Sequence, residues 1–173
     1  GLAEFREQAQ LLADAGADLI ALEMIGGRDY GNAAVQAATE TGLPVWLGVS
    51  PYRRADGTLG TLPDFGDGET LEEVLCALAA PGLSAITVMH ASPEVTLDAI
   101  EVVRTHYAGP IGVYAETGDW TPPNWVFSGL TPSAYLDQAS TWVSHGALLI
   151  GGCCGTKPEH IALLAERLGS ATR

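Results

Sequence analysis

Two adjacent cysteines, Cys153 and Cys154, close an apolar run in the stretch Ala147-Leu-Leu-Ile-Gly-Gly-Cys-Cys-Gly-Thr-Lys-Pro-Glu-His-Ile161. Ala147 to Ile150 read as a buried strand, and Gly151 and Gly152 let the backbone leave it closely packed. Thr156 offers an N-cap side chain ahead of Pro158, and Pro158 to Leu168 read as a helix. Two thiols are thus presented where a strand gives way to a helix, the usual place for active sites in α/β folds. Neighbouring cysteines bond each other only with strain, whereas their thiolates can converge on one metal ion. Two other chemistries compete with that one. The thiols could pack as small hydrophobes, or Cys153 could act as an acyl-transfer nucleophile with His90 as its base.

Such thiols need elements that hold them, and five repeats of strand and helix supply these. The strands are Asp18–Met24, Pro44–Ser50, Ser84–His90, Pro110–Glu116 and Ala147–Cys153, short runs apolar on both faces as buried parallel strands are. Helices with a 3.6-residue period cover Phe5–Ala15, Leu71–Ala79, Pro93–His106 and Pro132–Ser144, besides the one after the cysteines. Strands alternating with helices at this spacing predict βαβ units and a parallel sheet, an α/β fold. Two connections, Pro51–Glu69 and Thr117–Thr131, are longer than a crossover needs and follow strand C-termini, so they are expected to lie over the active face as lids or walls.

Composition bounds the rest. The 173 residues read as one domain over 1–173, 47% hydrophobic and 17% charged, hence globular. A formal charge of −13 argues against nucleic acid and against anionic membranes as partners. No apolar stretch has the length of a membrane span. Three cysteines, two of them adjacent, make no disulfide framework and point to a reducing, cytoplasmic setting. Gly1 in place of a Met start fits a processed or truncated chain. Phosphate loops, dinucleotide fingerprints and nucleophilic serine elbows are all missing from the sequence.

The run Gly-Gly-Cys-Cys-Gly-Thr-Lys-Pro-Glu-His-Ile resembles the C-terminal signature of the zinc-dependent homocysteine S-methyltransferases. The likeness extends to Asp18–Glu23, a Gly-rich loop ending Asp67-Gly-Glu-Thr70, Val113-Tyr-Ala-Glu-Thr-Gly118 and Trp142. It implies a (β/α)8 TIM barrel in which three cysteines hold zinc and the zinc binds the homocysteine sulfur as thiolate. It also implies that this chain supplies about five βα units, strands four to eight, with the first three units absent. An open five-strand piece leaves two unpaired edges and an unfilled interior. A second chain or a missing N-terminal segment is therefore expected to complete the barrel.

Parallel strands bring their C-terminal residues to one rim, here Glu23, Ser50, His90, Glu116 and the cysteine pair. By the resemblance, Glu23 holds the amino group of homocysteine; the plainer expectation is an ion pair with Arg28. His90 stands where the family carries its third zinc cysteine, and Glu116 where it usually shows Asn. Two thiolates and one imidazole make an accepted catalytic zinc set with an open fourth position. The metal set is thus His90, Cys153 and Cys154, with Glu23 and Glu116 toward the substrate; otherwise His90 is a hydrogen-bonded rim residue.

The implied function is zinc-dependent transfer of a methyl group from a sulfonium or ammonium donor to the thiol of homocysteine or a similar thiol. The rival is a degenerate barrel piece that binds a metal, ligand or partner without methyl transfer. Cys76 is expected in the core and His160 over the strand-end layer. Trp120, Trp125 and Phe127 on the long loop are expected to wall the pocket through packing.

Overall fold

The computed structural model describes residues 1–61, 68–121, 123–126 and 129–169, with side chains left out at 119–121 and 125. Asp67 and Phe127 lie outside the described residues, as do the side chains of Trp120 and Trp125.

Five strands form one parallel sheet: β1 (Ile20–Ile25), β2 (Val45–Val49), β5 (Ala85–Met89), β6 (Ile111–Tyr114) and β9 (Ala147–Ile150). Their order in the sheet, β1-β2-β5-β6-β9, is their order in the chain, which is how a barrel curls and not how a doubly wound sheet reverses. The chain is therefore of the (β/α)8 TIM-barrel type and supplies five of its βα units. Helices α1 (Leu2–Asp14), α2 (Arg28–Glu40), α3 (Leu71–Leu78), α4 (Pro93–His106), α5 (Pro132–Ser144) and α6 (Pro158–Arg167) alternate with these strands.

Strand residues Val45, Leu47, Val49, Ile86, Val88, Ile111 and Val113 join Val74, Leu75, Leu78, Ile100, Val103 and Trp142 from the helices in a single buried cluster. The other face of the sheet is smaller and more polar. A Cβ on Gly48 would stand 2.7 Å from the Leu22 carbonyl and within 3.3 Å of Thr87 Oγ1 and Met89 Sδ, so only glycine fits there. Thr87 Oγ1 meets the Tyr114 hydroxyl at 3.1 Å on that face. Among the described residues β1 pairs only with β2 and β9 only with β6, leaving both edges open. Leu11 and Leu12 on α1, and Leu148 on β9, are exposed apolar side chains close to those edges.

The structure departs from the sequence reading in four places. Helix α2 has a face of Gly31, Ala34, Val35, Ala37 and Ala38, too small to give a strong apolar period. The first long connection contains a hairpin of β3 (Pro51–Arg53) and β4 (Leu59–Thr61), and the second one of β7 (Asp119–Thr121) and β8 (Asn124–Val126). Cys76 is exposed, because Leu71, Val74, Leu75 and Leu78 already fill the inward stripe of α3. Thr156 does not cap α6. Its hydroxyl donates to the Cys153 carbonyl at 2.6 Å, and Lys157 is the N-cap residue.

Candidate metal centre

The cysteine loop is clamped to the end of β6. Gly151 N–H donates to the Val113 carbonyl at 2.8 Å, Cys153 N–H to Ala115 at 3.1 Å, and Thr117 N–H returns a bond to Cys154 at 2.8 Å. Below it, the Tyr135 hydroxyl is shared between the Gly151 carbonyl at 2.9 Å and the Ala115 carbonyl at 3.1 Å. Burial raises the pKa of that phenol well above its ordinary value, so it remains a donor. Tyr135 is held edge-on by Trp142 and His160, at 5.5 and 5.8 Å between ring centres. His160 is itself fixed, accepting the Lys157 N–H on Nδ1 at 3.1 Å and facing the Leu130 carbonyl with Nε2 at 2.9 Å. Since Nδ1 accepts, Nε2 carries the proton.

Opposite this loop, His90 follows β5 with a left-handed backbone, φ 45°. Met24, in β1, has φ 56° where the β1–β2 register slips between Leu22 and Ile25. Non-glycine residues in that region are strained, and such strain gathers at functional sites. The two positions touch through Met89, whose Sδ lies 3.2 Å from Met24 N.

The structure brings His90, Cys153 and Cys154 together. His90 Nδ1 lies 3.7 Å from Cys153 Sγ and 3.6 Å from Cys154 Sγ, and the two sulfurs are 3.9 Å apart. A tetrahedral zinc with Zn–S of about 2.3 Å and Zn–N of about 2.05 Å requires S···S edges of about 3.8 Å and N···S edges of about 3.6 Å. The three donors therefore stand on one triangular face of such a tetrahedron. Their chemistry, two soft sulfurs and an imidazole, suits zinc.

Glu116 contacts one member of this group, with Oε2 at 3.2 Å from His90 Nδ1. Glu23 is on the rim at the open β1 edge and exposed. Its expected pairing with Arg28 does not form, because Arg28 is taken by Glu69 through both its guanidinium and its backbone N–H. Among the described residues Glu23 makes no ion pair, since Arg28 is paired with Glu69. Ser50 is buried, and its hydroxyl has no partner among the described residues. Tyr135 was not marked by any motif; its place in the first turn of α5, three residues after Pro132, is the one signal that could have singled it out.

Burial pushes the Cys153 thiol up to about 11, and the nearby Cys154 and Glu116 charges add to the effect. In metal-free protein the Cys153 thiol is then protonated at neutral pH. Iodoacetamide should alkylate it slowly at pH 7, with the rate rising about tenfold per pH unit until the thiol ionises. A rate that levels off below pH 8 would contradict this environment for Cys153.

Five βα units of a barrel thus carry a thiol–imidazole cluster on their C-terminal rim, a group that could hold a metal ion. The sequence pattern of the homocysteine S-methyltransferase family matches residues 2–168, and the chain belongs to that family. The homocysteine S-methyltransferase of Escherichia coli strain K12 is 31% identical over 168 residues, covering 94% of this chain and 51% of that protein. The selenocysteine methyltransferase of Astragalus bisulcatus is 28% identical over 172 residues, covering 95% of this chain and 48% of that protein. Among solved structures, the metallated form of the Escherichia coli homocysteine methyltransferase MmuM superposes with a TM-score of 0.71. It is 28% identical, over 96% of this chain and 52% of that one. The chain spans about half the length of the curated relatives it matches. Among the described residues no helix is long and apolar enough to cross a membrane.

Proposed function

We propose that this chain is the metal-holding part of a zinc-dependent S-methyltransferase that acts on homocysteine or a similar small thiol. The observation that supports it most is the His90–Cys153–Cys154 triangle, whose ligand atoms lie within 4.8 Å of one another. His90 Nδ1 and the two sulfurs would hold the ion. When bound, zinc supplies a Lewis acid that keeps a thiol ionised at neutral pH.

The protein's own residues do the rest. Glu23, exposed on the rim near the end of β1, receives the ammonium of the amino-acid thiol as an ion pair. Glu116 adjoins the position the thiol sulfur would take. Tyr114 and Thr87 provide a polar floor on the barrel side of the sheet. Held in line with a sulfonium or ammonium donor, the sulfur gives its electron pair to the methyl carbon. The carbon–donor bond breaks, and a neutral sulfide or amine leaves.

The remaining βα units come from further polypeptide, either joined to this chain or supplied as a second chain. Open edges at β1 and β9, together with the half-length match to relatives, support that arrangement. A reducing cytoplasm would keep the two thiols available.

The test is to mix zinc-loaded protein with homocysteine and S-methylmethionine and to follow free thiol and methionine. Consumption of one thiol for every two methionines formed is the expected result, because S-methylmethionine itself becomes methionine when it gives up a methyl group. Bound zinc with no methionine formed, after the completing polypeptide has been supplied, would favour the non-catalytic metal-binding barrel.

A further inference from the structure

Strand β1 leaves its ladder just past Glu23. The β1–β2 register slips between Leu22 and Ile25, and Met24 turns there with a left-handed φ of 56°. A chain that turns out of a sheet loses ladder partners for its backbone polar groups, and buried ones must find others. Side chains supply them here. Met24 N–H points to Met89 Sδ at 3.2 Å, and the Met24 carbonyl accepts the Tyr30 hydroxyl at 3.0 Å. The same Tyr30 oxygen accepts the Gly26 N–H, and the Gly26 carbonyl accepts the Thr61 hydroxyl.

Tyr30 thus grips the turn twice, once on each side of Ile25. Its own place is fixed by packing. It lies in the first turn of α2, and the next residue, Gly31, seats that helix directly on β1. A Cβ at Gly31 would fall 2.9 Å from Ile25 Cγ2 and 2.5 Å from Leu78 Cδ1. Left-handed backbone at a methionine is strained and persists only where the surroundings hold it. Without the Tyr30 hydroxyl, two backbone groups lose their partner and Met24 is free to relax toward extended backbone. Glu23 shares a peptide with Met24, so its carboxylate moves with that relaxation.

We propose that Tyr30 is a positioning residue for the amino group of the acceptor. Through the kink at Met24 it fixes the Glu23 carboxylate, and so sets the preference for an amino-acid thiol over a thiol that lacks the ammonium. This rests on the reading that Glu23 receives that ammonium. The donor triangle hangs from the ends of β5 and β9, so ligation of the thiol itself does not depend on Tyr30.

The experiment titrates the cobalt-loaded chain with homocysteine and with γ-mercaptobutyrate, which keeps the thiol and carboxylate but has no ammonium, and follows the sulfur-to-cobalt absorption band. The parent, Tyr30→Phe and Glu23→Gln are compared. The parent should bind homocysteine the more tightly of the two. Tyr30→Phe should cut that preference roughly threefold to tenfold, the range of one or two lost hydrogen bonds, while its affinity for γ-mercaptobutyrate stays parental. Glu23→Gln should abolish the preference. A preference kept in Tyr30→Phe but lost in Glu23→Gln would overturn the role of Tyr30 and leave the ammonium reading standing. A preference absent from the parent, or unaltered by Glu23→Gln, would remove that reading and the role of Tyr30 with it. Equal weakening of both thiols in Tyr30→Phe would make the hydroxyl a general support of the fold, which also overturns the proposal.

Discussion

Replacing Cys154 by serine should empty the centre. The Cys154 sulfur sits 3.6 Å from His90 Nδ1 and 3.9 Å from Cys153 Sγ, at one corner of the donor triangle. Serine is nearly isosteric, but its hydroxyl stays protonated at neutral pH and is a poor ligand for zinc. Structural zinc sites with four protein ligands are worth about 10–16 kcal/mol, so one thiolate carries about 3–4 kcal/mol, a loss on the order of several hundredfold or more in affinity. Zinc content measured after gel filtration should fall from near one per chain to background, and thiol methylation should fall with it. The fold should persist, because the carbonyl of residue 154 and not its side chain accepts the bond from Thr117. Retention of zinc at parental affinity would remove Cys154 from the ligand set.

The second large effect is on stability and comes from beneath the site. Trp142→Ala should cost about 3–5 kcal/mol, a large share of the 5–15 kcal/mol typical of a folded domain. Trp142 is fully buried in the helix–sheet core and meets Tyr135 edge-on at 5.5 Å. Tyr135 in turn holds Ala115 and Gly151, the residues before Glu116 and the cysteine loop. Zinc affinity should therefore fall together with stability. Trp142→Phe is the informative comparison. The indole N–H has no hydrogen-bond partner among the described residues, so the phenyl ring removes volume but also an unpartnered donor. It should cost clearly less than alanine in urea unfolding. Equal losses in the two variants would mean that ring volume is not what supports the loop.

These effects also mark what could be read from the chain alone. The barrel strands were legible because each is a short aliphatic run between turn residues, and the central β2 and β5 are buried along nearly their whole length. That pattern does not depend on partners. The meeting of His90 with the cysteines followed from the rule that parallel strands end on one rim, applied to a histidine at one strand end and two thiols at another. Helix α2 escaped notice for a physical reason: it packs through Gly31, where a Cβ would fall 2.5 Å from Leu78 Cδ1, so small size and not hydrophobic periodicity marks its inner face. The left-handed backbone at His90 and Met24 was equally hidden, since neither is a residue type that favours that conformation. Arg28 looked available to Glu23 in sequence, yet the loop that returns over α2 brings Glu69 to it. The Glu116 carboxylate could be placed on the rim but not at a particular nitrogen of His90, because that depends on side-chain rotation.

X-ray absorption at the zinc edge, on zinc-loaded protein free of added thiols, tests the metal centre most directly. The account predicts one zinc per chain with two sulfur neighbours at about 2.3 Å and nitrogen or oxygen neighbours at about 2.0–2.1 Å. A zinc surrounded by nitrogen and oxygen alone, or a chain that takes up no zinc while both vicinal thiols titrate freely, would contradict it.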